Sequence, residues 1–328
     1  MNVVLSRWFY KLVASVFLPV LIVGIGLQSI SVITVHGQTN KRILLPGIVS
    51  ELEKKQISID FGDTSKKITP ILRKAFSCHG AFRLSLPSES QYVLRFTNSS
   101  GNQVEIAVLT GNPQKIVKIL IASGSSEEEA ILKGCDKVVN YFLKIPGFFA
   151  GKISYISNLS GHKEIYVSNA LMTTSHPNTN FNKISFNASW DNKGNGLFFT
   201  SNRQLFNNIF YLNLTTRQIS TVANYRGSNL SAVQNPRTNQ LAMILSGKRN
   251  PDVWIAASPA SKPKQLTRNK SNESGPCWSS DGRRLIVTSD SRGKPQLYEV
   301  SLSTGILTKI PTNVSSHCVE ASWNPLDP

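Results

Sequence analysis

Tyr155-Ile156-Ser157-Asn158, Phe199-Thr200-Ser201-Asn202, Ile244-Leu245-Ser246-Gly247 and Val287-Thr288-Ser289-Asp290 spell one phrase four times. Its serine recurs at intervals of 44, 45 and 43 residues. A polar loop and a second apolar-aromatic run follow each phrase: Glu164-Ile165-Tyr166-Val167, Asn208 to Leu212, Asp252-Val253-Trp254-Ile255, and Gln296 to Val300. A third marker ends each unit, in the runs closing at Trp190, Val233, Trp278 and Trp323. Short runs rich in β-branched and aromatic residues, bounded by Gly, Asn, Asp, Ser and Pro, read as strands. Three such strands and a weaker fourth, as in Ser303 to Ile310, match a propeller blade of about 40 to 45 residues. The sequence therefore predicts an all-β propeller of about four four-stranded blades, closed or incomplete, with repeats at 151–191, 192–235, 236–279 and 280–328. A lone blade cannot cover both faces of its sheet, so the recurring Trp and Tyr residues are read as packing between blades.

The preceding residues have a different composition and no repeat. Ile57 to Phe61 alternates as a strand does, and Ile68, Ile71, Leu72, Ala75 and Phe76 have helical spacing. Strands are expected at Tyr92–Thr97, Gln103–Thr110 and Lys115–Ala122. Ser126 and Glu129 then form a capping box for a helix whose apolar face holds Ile131, Cys135, Val138, Val139, Phe142 and Leu143, ended by Pro146-Gly147. This order predicts an α+β domain over 57–150, joined without a linker to the first blade.

Arg7 and Lys11 are the only charges in the first 37 residues, and Leu12 to Val35 carries none. A basic start followed by an apolar run is an export signal. Such a run is also long enough to span a bilayer as an anchor, but Pro19, Gly24 and Gly26 interrupt it and favour a cleaved leader ending near Gly37. Residues 38–56, with Lys41, Arg42, Ile43 and Leu44, read as an extended arm. Four cysteines lie beyond the signal and allow three pairings. Cys78 with Cys135 is the first to test, since both precede the repeats. No C-x-x-C pair indicates a metal site.

The chain carries 36 Lys and Arg against 19 Asp and Glu, a net charge of +17. The cations are scattered over turns and no nucleic-acid motif accompanies them, so the charge points to an anionic partner surface such as cell-wall polymer or lipid headgroups. No G-x-S-x-G elbow, P-loop or paired-histidine zinc motif occurs, and no catalytic, cofactor or metal residue is assigned. The repeat does supply matched loops at Asn158–Lys163, Asn202–Asn207, Gly247–Pro251 and Asp290–Pro295. These hold Asn158, His162, Lys163, Asn202, Arg203, Lys248, Arg249, Asp290, Arg292 and Lys294, the candidates for a recognition surface.

The units Cys277-Trp278-Ser279-Ser280, Asp281-Gly282-Arg283-Arg284-Leu285-Ile286-Val287-Thr288-Ser289-Asp290 and Gly293-Lys294-Pro295-Gln296-Leu297-Tyr298 resemble the repeats of the periplasmic TolB family. The order of leader, small α+β domain, a phrase like Gly151-Lys152-Ile153-Ser154-Tyr155 and propeller is also similar to that family. The resemblance implies a non-enzymatic scaffold of the Tol-Pal system, in the periplasm of a Gram-negative envelope and close to outer membrane and peptidoglycan. It would support outer-membrane integrity and constriction during cell division. Its partners would be a Pal-like lipoprotein, bound through the propeller loops, and a TolA-like inner-membrane protein, bound through the arm at 38–56. TolB propellers have six blades, whereas four are counted here. Glu320 to Leu326 is similar to the family's closing strand, which would complete the first blade, and equally to an internal repeat boundary. The alternatives are a propeller-containing hydrolase or glycan-binding envelope protein, and an adhesin held by an uncleaved leader.

Overall fold

The computed structural model of the chain describes residues 3–5, 56–99, 101–247 and 249–323. Two compact units are present, one at 12–150 and one combining 151–328 with the first eleven residues. Val3–Leu5 (β1) therefore belongs with the repeats. The rest of the expected leader and the arm, including Lys41, Arg42, Ile43 and Leu44, lie outside the described residues.

The first unit is a five-stranded sheet with two helices. Ile57–Asp60 (β2) is followed by Thr69–Ser77 (α1), Phe82–Leu84 (β3), Tyr92–Ser99 (β4), Gln103–Thr110 (β5), Lys115–Ser123 (β6) and Glu127–Leu143 (α2). The sheet order is β3-β2-β4-β5-β6; β2 runs parallel to both its neighbours, and the remaining pairs are antiparallel. Helix α1 buries Leu72, Ala75 and Phe76, and α2 buries Ile131, Cys135, Val138 and Val139. The capping box forms with one change. Ser126 Oγ accepts from the Glu129 amide at 3.2 Å, but the Glu129 carboxylate reaches back to the amide of Ser125, not Ser126, at 2.8 Å. Gly134 lets α2 lie close on the sheet, since a Cβ there would stand 3.0 to 3.1 Å from Ile106, Phe96 and Val104.

The Cys78–Cys135 pairing is not made, and both are free thiols. Cys135 is wholly buried on the core face of α2, while Cys78 is exposed at the end of α1. Burial pushes the Cys135 thiol well above its ordinary range.

The second unit holds four antiparallel four-stranded sheets. The first combines β1 with Lys152–Ser157 (β7), Glu164–Asn169 (β8) and Ser175–Pro177 (β9). The second contains Ser185–Trp190 (β10), Gly196–Gln204 (β11), Phe206–Asn213 (β12) and Ile219–Ala223 (β13). The third contains Asn229–Gln234 (β14), Leu241–Leu245 (β15), Asp252–Ala256 (β16) and Lys264–Gln265 (β17). The fourth contains Glu273–Trp278 (β18), Leu285–Ser289 (β19), Gln296–Val300 (β20) and Leu307–Lys309 (β21). The sequence repeats are thus offset from the sheets: each of the first three takes three strands from one sheet and the first strand of the next, and the fourth holds β19, β20 and β21.

The sheets stack through their apolar faces. Phe198 and Ile209 of the second sheet meet Leu241, Met243 and Leu245 of the third, with Trp254 packed alongside. Ala242, Ile244 and Val253 of the third meet Trp278, Leu285, Val287 and Tyr298 of the fourth. Strand β15 is buried at every position because a sheet neighbours it on each face; β19 is buried throughout as well, with Leu285 and Val287 packed on the third sheet. The Trp278 indole also donates to the carbonyl of Val233 at 3.0 Å, tying β18 to β14. These aromatic markers are inter-sheet packing.

Two expectations about the chain ends are corrected. Val3–Leu5, expected outside the fold, fills the place beside β7 that β10 fills beside β11, pairing Val3 with Tyr155 and Leu5 with Ile153. Conversely, Glu320 to Trp323 does not supply that strand. The Glu320 amide donates to Thr288 Oγ1 at 3.1 Å, and the Arg284 guanidinium lies 4.7 Å from the Trp323 ring, so this segment is held on the fourth sheet. The physical reason is local: the free edge of β7 accepts any short β-prone apolar run, whereas Trp323 finds a cation to stack on.

Candidate interaction site

The sheet register corrects the repeat. Ser157 pairs with Glu164, Ser201 with Asn208, Leu245 with Asp252 and Ser289 with Gln296. Leu245, not Ser246, therefore occupies the shared position, and the true spacing is 44 residues throughout. The facing positions Glu164, Asn208, Asp252 and Gln296 share that spacing, and all four are buried polar side chains. Each stands at the base of one of the matched loops.

A buried polar group must find partners, and each of the four does so differently. The Glu164 carboxylate accepts from the amides of Phe181 at 2.8 Å and Asn182 at 3.1 Å, and from the hydroxyls of Thr179 and Ser185. Asn208 Oδ1 accepts from the amide of Asn229, which also bonds the carbonyls of Asn207 and Tyr225. Asp252 and Glu273 both approach the Thr267 hydroxyl, at 3.3 and 2.9 Å. Glu273 also accepts from Asn269, Ser271 and Ser289, yet burial pushes its carboxyl above the ordinary range. Gln296 donates to the carbonyl of Ser315 at 3.2 Å. Each network pins the connection that follows a blade's outer strand to the base of its loop. The loops are held before any partner arrives.

The sequence-predicted residues divide into anchors and exposed groups. Asn202 Oδ1 accepts from the Ile184 amide at 3.0 Å, and Asp290 accepts twice from Asn272 at 2.8 Å, which holds its carboxyl below the usual range. Arg203 stacks over Phe181 at 4.2 Å and lies 5.4 Å from the Phe210 ring. Asn158, His162, Lys163, Arg249, Arg292 and Lys294 are exposed, and Lys248 lies outside the described residues. Arg292 borders an open hollow of about 810 Å³ shared with Lys309 and Val314. All these loops join the second and third strands of their sheets, so the topology puts them at one end of the blades.

Sequence reasoning missed the apolar tips. Leu159 is 81% exposed, Leu205 83% and Phe206 66%. Leu205 also has a φ of +78°, a conformation that costs a branched residue energy. An apolar pair inside the polar stretch Asn202 to Asn207 was the available signal. The electrostatics reinforce the pattern. Residues 151–328 hold 19 Lys and Arg against 9 Asp and Glu, and Glu164, Asp252 and Glu273 are buried, so the accessible surface is more basic than the count. Among the described residues no group of three or more His, Cys, Asp or Glu is placed to hold a metal ion, and no helix is long and apolar enough to cross a membrane.

Comparison with known proteins gives this geometry a family. The model of the TolB beta propeller domain matches residues 142–327. The chain is similar to the Protein TolB homolog of Chlorobium luteolum, 26% identical over 172 residues, covering 52% of this chain and 39% of that protein. It is also similar to the Tol-Pal system protein TolB of Bordetella pertussis, 25% identical over 171 residues with the same coverages. The match thus spans about two fifths of the length of these curated relatives. The crystal structure of TolB from Acinetobacter baumannii superposes with a TM-score of 0.68 at 17% identity, over 80% of this chain and 73% of that one, and so shares its fold. With more than half its length matched by the family model, the chain belongs to the TolB beta propeller domain family.

Proposed function

We propose that this chain is a non-enzymatic, exported scaffold that acts in a Gram-negative envelope as a Tol-Pal component. It binds a Pal-like lipoprotein through the loop end of its blades and a TolA-like inner-membrane protein through the arm at 38–56. The observation that carries this reading is the loop end itself, where buried polar anchors hold loops that present cations beside the exposed apolar tips Leu159, Leu205 and Phe206. Exposed apolar residues rimmed by charge suit a protein surface with carboxylates around an apolar pocket. The similarity to Tol-Pal system proteins supports a place in the periplasm, a role in outer-membrane integrity and a part in constriction.

The test is co-purification from envelope extracts. Wild-type protein should retain a Pal-like lipoprotein, and Leu205→Asp combined with Phe206→Asp should release it while leaving the fold intact. Retention by the double variant would reject the loop end as the site. Binding to purified peptidoglycan with no protein partner, lost on changing Arg203, Arg249 and Arg292 to alanine, would favour a glycan-binding protein instead.

A further inference from the structure

Among the described residues β6 is an edge strand of the five-stranded sheet, and its composition is unusual for an edge. It is nine residues long, holds no Pro, Gly or acidic residue, and leaves Ile116, Val117, Ile119 and Ile121 between 46% and 56% exposed. They are four of the sixteen large apolar side chains exposed among the described residues. Edges are normally blunted by shortness, charge, proline or bulges. The opposite edge, β3, obeys this with three residues. Strand β6 has only Lys115, Lys118 and a bulge near its start.

The exposed residues extend a buried apolar band. Ile119 pairs with Ala107 and Ile116 with Leu109, and Ala107 and Leu109 cluster with Val93. The band thus runs from β4 through β5 and comes to the surface on β6. Helix α2 packs against β6, and Ala122 is its buried residue. Among the described residues no strand pairs with the outward side of β6, and Ile116, Ile119 and Ile121 are exposed on it.

We propose that β6 pairs antiparallel with β6 of a second copy of this chain, about a two-fold axis at Ile119, to form a ten-stranded sheet. The charge pattern excludes the parallel register between two copies and permits this antiparallel one. Parallel in-register pairing would stack lysine on lysine. The antiparallel register puts Lys115 opposite Ser123 and Lys118 opposite Leu120, so no lysine meets another, while Val117 faces Ile121 and Ile119 faces its copy. Such an interface is self-complementary, as a two-fold contact must be. Residues 56–150 are also the less charged part of the described chain, with 11 Lys and Arg against 8 Asp and Glu, so repulsion between copies is weakest there. One strand pair buries less than the roughly 800 Å² per partner of a standard interface. A weak dimer, with a Kd of about tens of micromolar, is the corresponding expectation.

Sedimentation velocity of the full chain from about 1 to 100 μM tests this. The wild type should shift from monomer to dimer across that range. Ile119→Lys should stay monomeric, and Ile119→Thr, which keeps a β-branched side chain, should weaken the dimer about tenfold; thermal melts establish that both remain folded. Independently, Ile119→Cys should form a disulfide with its copy on oxidation, found as a peptide cross-linked through position 119. A wild type that is monomeric at every concentration, a dimer indifferent to Ile119→Lys, or no 119–119 cross-link would overturn the proposal. Capture by β6 of a different protein, with no dimer, would do so too.

Discussion

Glu273 offers the sharpest test of how the loop bases are held. The Thr267 hydroxyl has one proton and two buried carboxylates within reach, Asp252 and Glu273. With a single proton it cannot satisfy both, while its oxygen accepts from the Val253 amide at 2.8 Å. In Glu273→Gln the new amide can donate to Thr267 Oγ1, which leaves the hydroxyl proton for Asp252. In Glu273→Ala the donors on Asn269 and Ser289 lose their acceptor, whereas Thr267 can turn to Asp252 and Ser271 to Asn269 Oδ1. At about 1 kcal/mol for each lost bond, the alanine change costs about 2 kcal/mol. For a unit of this size that lowers Tm by about 4–8 °C. The glutamine change should be close to neutral at pH 4.5 and increasingly favourable above it. The sign follows from protonation. The native carboxyl lies above the ordinary value of 4.5, so the folded state binds more protons in the window above 4.5, and wild-type stability falls as pH rises through it. The slope is at most about 1.4 kcal/mol per pH unit, and Glu273→Gln removes it. Urea melts between pH 4.5 and 8, followed by tryptophan fluorescence, read the propeller unit alone, since none of the five tryptophans falls in 12–150. Parallel pH profiles for wild type and Glu273→Gln, or a cost below about 1 kcal/mol for Glu273→Ala, would refute the reasoning.

Other perturbations separate the remaining claims. Leu205→Gly should raise propeller stability by about 0.5–1 kcal/mol by relieving the positive φ, yet weaken partner retention; equal retention would show that the tip is not an anchor. In the first unit, burial lowers His79 to about 4, so stability is lost as pH falls from 6.5, by about 2 kcal/mol at pH 5. Hydrogen exchange of β5 should show that loss in the wild type and not in His79→Asn. Asp136, which accepts from the amides of Phe149 and Ala150, is raised by burial to about 6, so Asp136→Asn should remove a stability decline between pH 4 and 6 in the same exchange measurement. A thiol reagent should modify Cys78 in the native protein and Cys135 only on unfolding; a recovered Cys78–Cys135 disulfide would contradict the structure.

Strand and helix patterns were readable in the sequence because they are local. Ile57 to Phe61, the spacing of Leu72, Ala75 and Phe76, and the Ser126 cap carry their own signals, and α1, β2 and α2 follow them. The blade register was less readable. The serine shared by the other three units has its nearest counterpart in Ser246, whereas the ladder that pairs Leu245 with Asp252 sets the true position. The buried set Glu164, Asn208, Asp252 and Gln296 was hidden for a related reason. A polar residue at the end of an apolar run looks like the edge of a loop, and its burial depends on Thr179, Asn229, Thr267 and Ser315, which lie 15 to 21 residues further along the chain. For the candidate surface, charge was legible and exposure was not. Asn202 and Asp290 have the composition of recognition residues and serve as anchors, while Leu159 and Phe206 have the composition of core residues and lie open.

The four loop bases also limit how this array could be redesigned. Their backbones are equivalent at a spacing of 44 residues, but Glu164, Asn208, Asp252 and Gln296 differ in charge and in what they donate. A blade averaged from the four units would place one of these groups among neighbours suited to another. A carboxylate repeated at the fourth base would face the Ser315 carbonyl, which has no proton to give it. Blade order in this protein is therefore a matter of chemistry at the joints, and exchanging two blades of the same shape would leave charges stranded at the exchanged positions.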